Sequence, residues 1–464
     1  MGKTNESKKY AEQVQNSWHS DILKLLTDAA PELSGENSNI NTARSLAHAA
    51  GVKSAAQIND FWRIGKNVRS GPLMLMDMFS GCGGMSTGFR AANALGPIFD
   101  IRGAIDTDPV ANRSYEINHG VEPLCEDIAS MARSPKMLND FLLRTGFGSA
   151  QINVLIGCAP CQGFSSHRNG GDHDVRNTLF ADFVRIASKI SPDAIVIENV
   201  PELLTDRYWP YVEDARKILE KAGYYVHVGV HNMAEFGVPQ QRFRALILAM
   251  KRPFVAPKGF LPHSSFLTVR NAISALPSVN PGEKHPSDAM HFSAGHKQST
   301  IDTIKAVPKD GGNRPDDVGP ACLRRAKQRT GKAAYEDVYG RLAWDKPAIT
   351  ITAHARNPAS GRFVHPEQDR GLTVREAALL QGFPADYEVV GGLDERFRQI
   401  GNAVPPAFSA YLALHIVGEL IGAPIQASIF DKGIVAPVGA SFSRMIPSLK
   451  NRKKQESESN ALCV

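Results

Sequence analysis

Three short apolar runs, each ending abruptly in polar residues, constrain the fold of this chain more than any other feature. Residues 73–76, 152–156 and 194–197 consist mainly of leucine, methionine, isoleucine, valine and alanine. Such runs are typical of buried parallel strands. The polar residues that follow them therefore lie at the carboxyl ends of strands, where open α/β sheets bind ligands. The sequence thus predicts an α/β fold with a ligand site at that edge.

Two of these runs lead into chemically reactive side chains. The second is followed by the segment 157–165, GCAPCQGFS, which contains Cys161, and the third by Glu198. A thiol can act as a nucleophile and a carboxyl group as its proton partner. Because separate strands bring both groups to one edge of the sheet, they indicate a single active site.

The spacing of Cys158 and Cys161 leaves two other interpretations open. C-x-x-C is also typical of a redox pair or of half a zinc site. A zinc site would need a second pair, whereas the other members of the six cysteines are scattered singly. We therefore favour a nucleophile and predict no metal.

A glycine-rich turn follows the first apolar run. The segment Asp77–Gly84 (DMFSGCGG) predicts a sharp turn that lets a ligand approach, with a helix beginning near Met85. Its G-x-G-G spacing differs from G-x-G-x-x-G, which argues against a nicotinamide-dependent oxidoreductase. A second strand near residues 101–105 ends at Asp106, a position that suits the hydroxyls of a ribose.

Six blocks, in this order along the chain, resemble the motifs of the cytosine-5 DNA methyltransferases. They are Asp77–Gly84, Pro160–Ser165, Glu198–Val200, the Gln-x-Arg-x-Arg of Gln240–Arg244, Arg375–Pro384 and Gln399–Pro406. The resemblance implies a methyltransferase that depends on S-adenosyl-L-methionine and has a doubly wound, Rossmann-like sheet. It also implies a small inserted target-recognition domain. The sequence further predicts a helical N-terminal extension.

The implied reaction is transfer of a methyl group to carbon 5 of cytosine in a specific double-stranded DNA sequence, as in the modification enzyme of a restriction system. Cys161 would add to carbon 6 of the base, since carbon 5 is a poor nucleophile until a thiolate has added. Glu198 would serve N3 and Arg244 would serve O2, while Arg242 and Arg244 would favour the thiolate. The alternative for Glu198 is a strand-end carboxylate that caps the next turn. No side chain is an obvious base for the final elimination.

The resemblance also implies which residues surround S-adenosyl-L-methionine and DNA. Asp106 and Thr107 stand where the family has Glu and a bulky residue. Asn199 would either hold its turn or meet the exocyclic amine, and Arg176 would hold a phosphate. The full cofactor set is Phe79, Gly81, Gly83, Gly84, Asp106, Thr107, Asp127, Ile128, Pro160, Leu179 and Asn402, and the substrate set is Gln162, Ser165, Arg176 and Asn199.

Charge and composition divide the chain into segments. The net charge is +6, and Lys and Arg outnumber Asp and Glu within residues 251–371, where neither helical nor strand periodicity persists. We predict that this insert grips phosphates and recognises bases, with a solvated surface insertion as the alternative. The predicted segments are a helical extension (1–70), a catalytic domain (71–250), a target-recognition domain (251–371), a return to the catalytic domain (372–425) and a partly disordered tail (426–464).

The ends of the chain and its partners complete the expectations. Residues 43–52 faintly resemble the first half of a helix-turn-helix, but a helical extension packed on the catalytic domain is preferred. There is no signal peptide or apolar run long enough to cross a membrane, so a cytoplasmic, nucleoid-associated protein is predicted. It would act as a monomer on DNA, paired functionally with a cognate restriction endonuclease. The alternatives are a tRNA substrate or a non-catalytic DNA-binding regulator on the same fold.

Overall fold

The computed structural model describes residues 18–31, 41–148, 152–160, 176–324 and 337–439 of the 464-residue chain. Its centre is a six-stranded sheet in the order β2-β1-β3-β4-β7-β5, beside a two-stranded sheet of β6 and β8. The strands are β1 (Leu73–Met78), β2 (Phe99–Ile105), β3 (Ile152–Gly157), β4 (Ala194–Asn199), β5 (Tyr225–Asn232), β6 (Gln240–Gln241), β7 (Phe243–Met250) and β8 (Ala348–Ile349).

The three apolar runs form β1, β3 and β4, and every residue of these strands is buried. β1 pairs in parallel with β2 and β3, and β3 pairs in parallel with β4. β7 is antiparallel to both β4 and β5. Met78 lies opposite Gly157, which lies opposite Ile197, so β1, β3 and β4 end at one edge of the sheet. The predicted α/β fold is confirmed.

Helices cover both faces of the sheet. They are α1 (residues 18–29), α2 (Asn41–Ala56), α3 (Ile58–Gly65), α4 (Gly84–Ala92), α5 (Pro109–His119), α6 (Ile128–Arg133), α7 (Pro135–Thr145), α8 (Arg176–Ile190), α9 (Trp209–Lys221), α10 (Val269–Ile273), α11 (Gln298–Lys305), α12 (residues 321–324), α13 (Val374–Leu380), α14 (Leu393–Asn402) and α15 (Pro406–Ile421). Leu73 and Leu75 of β1 pack with α2, α4 and α15, whereas Met74 and Met76 pack with α6 to α9. Because successive side chains of a strand alternate between faces, each fully buried strand joins two cores. This is the doubly wound arrangement that was predicted.

The amino-terminal helices pack against the six-stranded sheet and its covering helix α15. Helix α2 is continuous over residues 41–56 and lies against α15, where a Cβ at Gly418 would come within 2.6 Å of Ala47. Arg44 forms a 2.8 Å ion pair with the buried Glu419 of α15. These contacts favour the packed helical extension over the helix-turn-helix interpretation.

The segment after β7 contributes to a shared core. Val269 and Ile273 of α10 pack with Val374 of α13 and with Trp62 of α3. A smaller cluster of Ile304, Val307, Tyr339 and Val364 lies within the insert itself. The insert is therefore joined to the catalytic part by apolar contacts, and its boundaries at 251 and 371 stay predictions.

The described part of the carboxyl-terminal segment docks on the sheet edge. The backbone amide of Ile434 donates to the carbonyl of Val228 in β5 at 2.8 Å, and its side chain is buried. Within the described residues, the stretch Leu393–Ile421 is long and apolar enough to cross a membrane, but 89% of its window is buried in the protein. Such burial is what a core helix shows, so the stretch is weak support for a membrane span.

Candidate active site

A cavity of about 290 Å³ opens at the edge where β1, β3 and β4 end. Its lining joins residues from the glycine turn, from the ends of β2, β3 and β4, and from the segment that links α14 to α15. The sequence-predicted residues among them are Phe79, Gly81, Gly84, Asp106, Thr107, Pro160, Glu198, Arg242, Arg244 and Asn402. Residues far apart in the sequence thus meet at the edge that the apolar runs indicated.

The turn after β1 is held in a conformation that ordinary side chains avoid. Phe79 has a φ of 60° and Gly81 a φ of 51°, both in the left-handed region. A positive φ is uncommon for an aromatic residue and marks local strain. A Cβ at Gly84 would come within 2.4 Å of the carbonyl oxygen of Val404, so glycine is required for the close approach of α4, which begins one residue before Met85.

Asp106 organises this turn from the end of β2. Its Oδ2 accepts a hydrogen bond from the amide of Gly81 at 2.8 Å, and its Oδ1 accepts one from the amide of Asp108 at 2.9 Å. Burial raises the pKa of this carboxyl group above its ordinary value. Since each carboxylate oxygen has two lone pairs, both oxygens can still accept a bond from a ligand hydroxyl.

Asp77, whose role the sequence did not indicate, lines the cavity from β1. Its Oδ2 accepts a hydrogen bond from Ser86 at 2.6 Å, and the Ser86 hydroxyl lies 2.8 Å from that of Tyr115. Burial raises the pKa of Asp77 to about 7. The only signal available was an acidic residue inside an otherwise apolar strand.

Glu198 and Arg244 meet on the other side of the cavity. Glu198 is 2% exposed, and Arg244 Nε lies 3.0 Å from its Oε1. The two groups form an ion pair without hydrogen-bond alignment, and Oε1 has no hydrogen-bond partner among the described residues. Glu198 Oε2 accepts a hydrogen bond from Cys158 Sγ at 2.8 Å. The strand-end carboxylate thus points toward neighbouring side chains and does not cap the next turn.

Asn199 takes the first of its two predicted roles in this structure. Its Nδ2 donates to the carbonyl of Ala159 at 3.1 Å, and its Oδ1 accepts from the amide of Val200 at 2.8 Å. The side chain is buried and ties the end of β4 to the loop after β3. Contact with the exocyclic amine has no support in this geometry.

Arg242 differs from the catalytic role expected for it. Its guanidinium donates to the carbonyls of Ile351, Gly401 and Ala403 at 3.0, 3.1 and 3.2 Å, and the residue is 2% exposed. It borders the cavity, but these donors point into backbone that closes the site. The Gln-x-Arg-x-Arg motif does not distinguish the two arginines, because their partners are distant in sequence. Glu198, the partner of Arg244, lies more than 40 residues away, and Ile351, a partner of Arg242, lies more than 100 residues away.

Other predicted cofactor residues lie outside the cavity lining. Asp127 caps α6 by accepting from the amide of Ala129 at 3.0 Å, and Ile128 is buried in the core. A Cβ at Gly83 would face His119 at 2.5 Å, away from the cavity. Leu179 is half-buried on α8. None of these four residues lines the cavity among the described residues, and their assignment to the cofactor stays a prediction.

The remaining predicted residues fall outside what the structure describes. Cys161, Gln162 and Ser165 lie in the undescribed stretch between residues 160 and 176. Arg176 begins α8, but its side chain is likewise outside the described set. Residues missed by the sequence arguments include Cys158 and Arg398, which both line the cavity.

Comparison with known proteins finds matches over most of the chain. Residues 73–418 match the family model of C-5 cytosine-specific DNA methylases. Type II methylase M.HgiDII of Herpetosiphon aurantiacus is 33% identical over 355 residues, covering 75% of this chain and 96% of the relative. Type II methyltransferase M1.HphI of Haemophilus parahaemolyticus is 33% identical over 347 residues, covering 74% and 86%.

The fold has a counterpart among solved structures. A prophage-encoded E. coli protein described as a DNA modification methyltransferase superposes with a TM-score of 0.53 at 24% identity. The match covers 75% of this chain and 99% of that protein. At this level of identity the likeness establishes the shared fold.

Proposed function

Because the chain belongs to the family of C-5 cytosine-specific DNA methylases, we propose that it is a DNA (cytosine-5-)-methyltransferase whose methyl donor is S-adenosyl-L-methionine. The observation that carries the proposal is the shared cavity. One wall of it is the glycine turn with Asp106, and the other is the ion pair of Glu198 with Arg244. A donor site and a base site therefore adjoin each other.

The residues on the first wall fit the proposed cofactor. Gly81 leaves open space where a side chain would stand, and Asp106 keeps lone pairs for the hydroxyls of a ribose. Phe79, Pro160 and Asn402 would contact the rest of the molecule, with Thr107 at its edge. When bound, S-adenosyl-L-methionine supplies an electrophilic methyl group.

The residues on the second wall fit the proposed chemistry of the base. Cys161 would form a bond from its sulfur to carbon 6, which pushes electrons toward carbon 5, N3 and O2. Glu198 Oε1, which lacks an aligned hydrogen bond, would share a proton with N3, and Arg244 would donate to O2. Carbon 5 would take the methyl group from the donor, which would leave as S-adenosyl-L-homocysteine. Loss of the carbon 5 proton to water would then break the bond between carbon 6 and sulfur, return its electron pair to Cys161 and restore the aromatic ring.

We assign DNA as the substrate and residues 251–371 as the segment that grips and reads it. Since carbon 6 is shielded in a stacked duplex, the target base must leave the stack, which costs a few kcal/mol. The Type II names of the relatives support a modification role in a restriction system. Pairing with a cognate endonuclease, action as a monomer and nucleoid association in the cytoplasm belong to the same proposal.

A trapping experiment tests the proposal. Cys161→Ser should abolish methylation of DNA, because a neutral hydroxyl does not add to carbon 6, while DNA binding persists. DNA carrying 5-fluorocytosine should become covalently attached to the unsubstituted protein, since fluorine blocks the final elimination. Peptide mapping by mass spectrometry should place the adduct on Cys161. An adduct on Cys158, or near-normal turnover of the serine variant, would refute the assignment.

A further inference from the structure

We propose that Cys158 is a positioning residue for Glu198, an inference that rests on the proposed function of that carboxylate. The Cys158 thiol donates to Glu198 Oε2 at 2.8 Å, while Arg244 Nε lies 3.0 Å from Oε1. One carboxylate oxygen is thus held by a thiol that follows β3, and the other faces a guanidinium carried by β7. Cys158, the first cysteine of the C-x-x-C spacing, would thereby have a role of its own in the site.

The pairing of the strands builds this contact. In the parallel ladder of β3 and β4, Gly157 lies opposite Ile197. One step further along each strand brings Cys158 beside Glu198. Position 157 cannot provide a side chain, because a Cβ there would come within 2.6 Å of the ring of Phe183. Position 158, the first residue after β3, carries the donor that reaches Oε2.

The thiol has a definite effect on the carboxylate. A hydrogen bond donated to the charged form of an acid stabilises that form, and a thiol is a weak donor. Among the described residues, the charged group that faces Glu198 from the other side is Arg244. The guanidinium of Arg242, at the cavity border, is directed to backbone carbonyls. Holding Oε2 leaves Oε1 directed toward the cavity, where the proton shared with N3 would lie.

The first test compares Cys158→Ala with Cys158→Ser in single-turnover DNA methylation across pH. Alanine removes the donor, so the limb of the rate profile that reports the carboxyl group should move to higher pH by about half a unit to one unit, the size of one modest hydrogen bond. Serine keeps a donor and should restore the profile. Cys125→Ser, which removes an exposed thiol outside residues 251–371, is the matched control. Equal profiles for the alanine variant and the unsubstituted protein would overturn the proposal.

A second test does not depend on methylation. In a Cys161→Ser background, Cys158 is the single cysteine of the tryptic peptide that follows Arg144, so its alkylation by iodoacetamide can be followed by mass spectrometry. The adjacent carboxylate disfavours the thiolate, which is the form that reacts. Adding Glu198→Gln should therefore speed alkylation about threefold to tenfold.

The two tests separate the possible failures. If Glu198→Gln leaves the alkylation rate unchanged, Cys158 and Glu198 are not coupled and the inference is wrong. If the alkylation rate changes but no DNA methylation is found in the unsubstituted protein, the contact is real and the proposed function fails instead. A changed alkylation rate together with a shifted pH profile that serine restores would establish the positioning role.

Discussion

Replacing Arg242 by methionine should lower the free energy of unfolding of this protein, whatever its effect on turnover. The guanidinium donates to the carbonyls of Ile351, Gly401 and Ala403, and so joins the residue between β6 and β7 to the segment after β8 and to the C-terminal end of α14. A hydrogen bond from a charged donor is worth about 1.5–3 kcal/mol. Because methionine fills part of the space and water can reach some of the freed carbonyls, we expect a net loss of about 3–5 kcal/mol.

Thermal unfolding followed by circular dichroism measures this loss. For a chain of 464 residues, a loss of that size should lower the midpoint by roughly 3–5 °C. Arg398→Ala is the matched control, since Arg398 lines the same cavity but its side chain is 47% exposed and pairs with Asp108. An exposed ion pair contributes about 0–1 kcal/mol, so its midpoint should hardly move. If Arg242→Met keeps the normal midpoint and loses only turnover, the guanidinium acts on the reaction directly and our structural reasoning is wrong.

Three further predictions concern the cavity and the insert. Burial raises the pKa of Asp77 from 3.8 to about 7, so between these values the folded state binds a proton that the unfolded state releases, and the free energy of unfolding should fall as pH rises through that window. Asp77→Asn should abolish this pH dependence in urea unfolding measured at a series of pH values. If the pH dependence persists in the variant, it belongs to another group. Asp106→Ala should weaken S-adenosyl-L-methionine binding at least about tenfold by calorimetry, because it removes a charged acceptor, whereas unchanged affinity would move the ribose contact elsewhere. Arg324→Ala, which removes an exposed cation, should weaken specific and non-specific DNA binding alike. The slope of the logarithm of the binding constant against the logarithm of salt concentration should decrease in magnitude by up to about 0.9, and bisulfite sequencing should find the methylated motif unchanged. A changed motif would mean that Arg324 contacts bases.

The strands that position the site could be predicted from local sequence. β1, β3 and β4 are buried on both faces, and a strand in that position must be apolar along its whole length. Because each apolar run ends where its strand ends, the polar residues that follow could be placed at the carboxyl ends of the strands. The motif order added the identity of the family, which the match over residues 73–418 established.

The contacts inside the site were not predictable in the same way. Sequence placed Arg242 and Arg244 in one motif, but the fold directs one guanidinium to backbone carbonyls and the other to Glu198. Asp127 and Ile128 matched a family pattern, yet here one caps a helix and the other is buried in the core. For the two arginines the deciding partners are distant in sequence, whereas the partner of Asp127 is the amide of Ala129 only two residues along.

What the sequence determined by itself was therefore the type of each element and the chemistry available at its end, since both depend on residues close together in the chain. The strand order, the antiparallel placement of β7 and the register of β3 against β4 were decided only by the tertiary structure. That register is what sets Cys158 beside Glu198. A shift of one residue in a strand turns every side chain to the opposite face, so contacts across the sheet depend on packing over the whole fold and not on any local pattern.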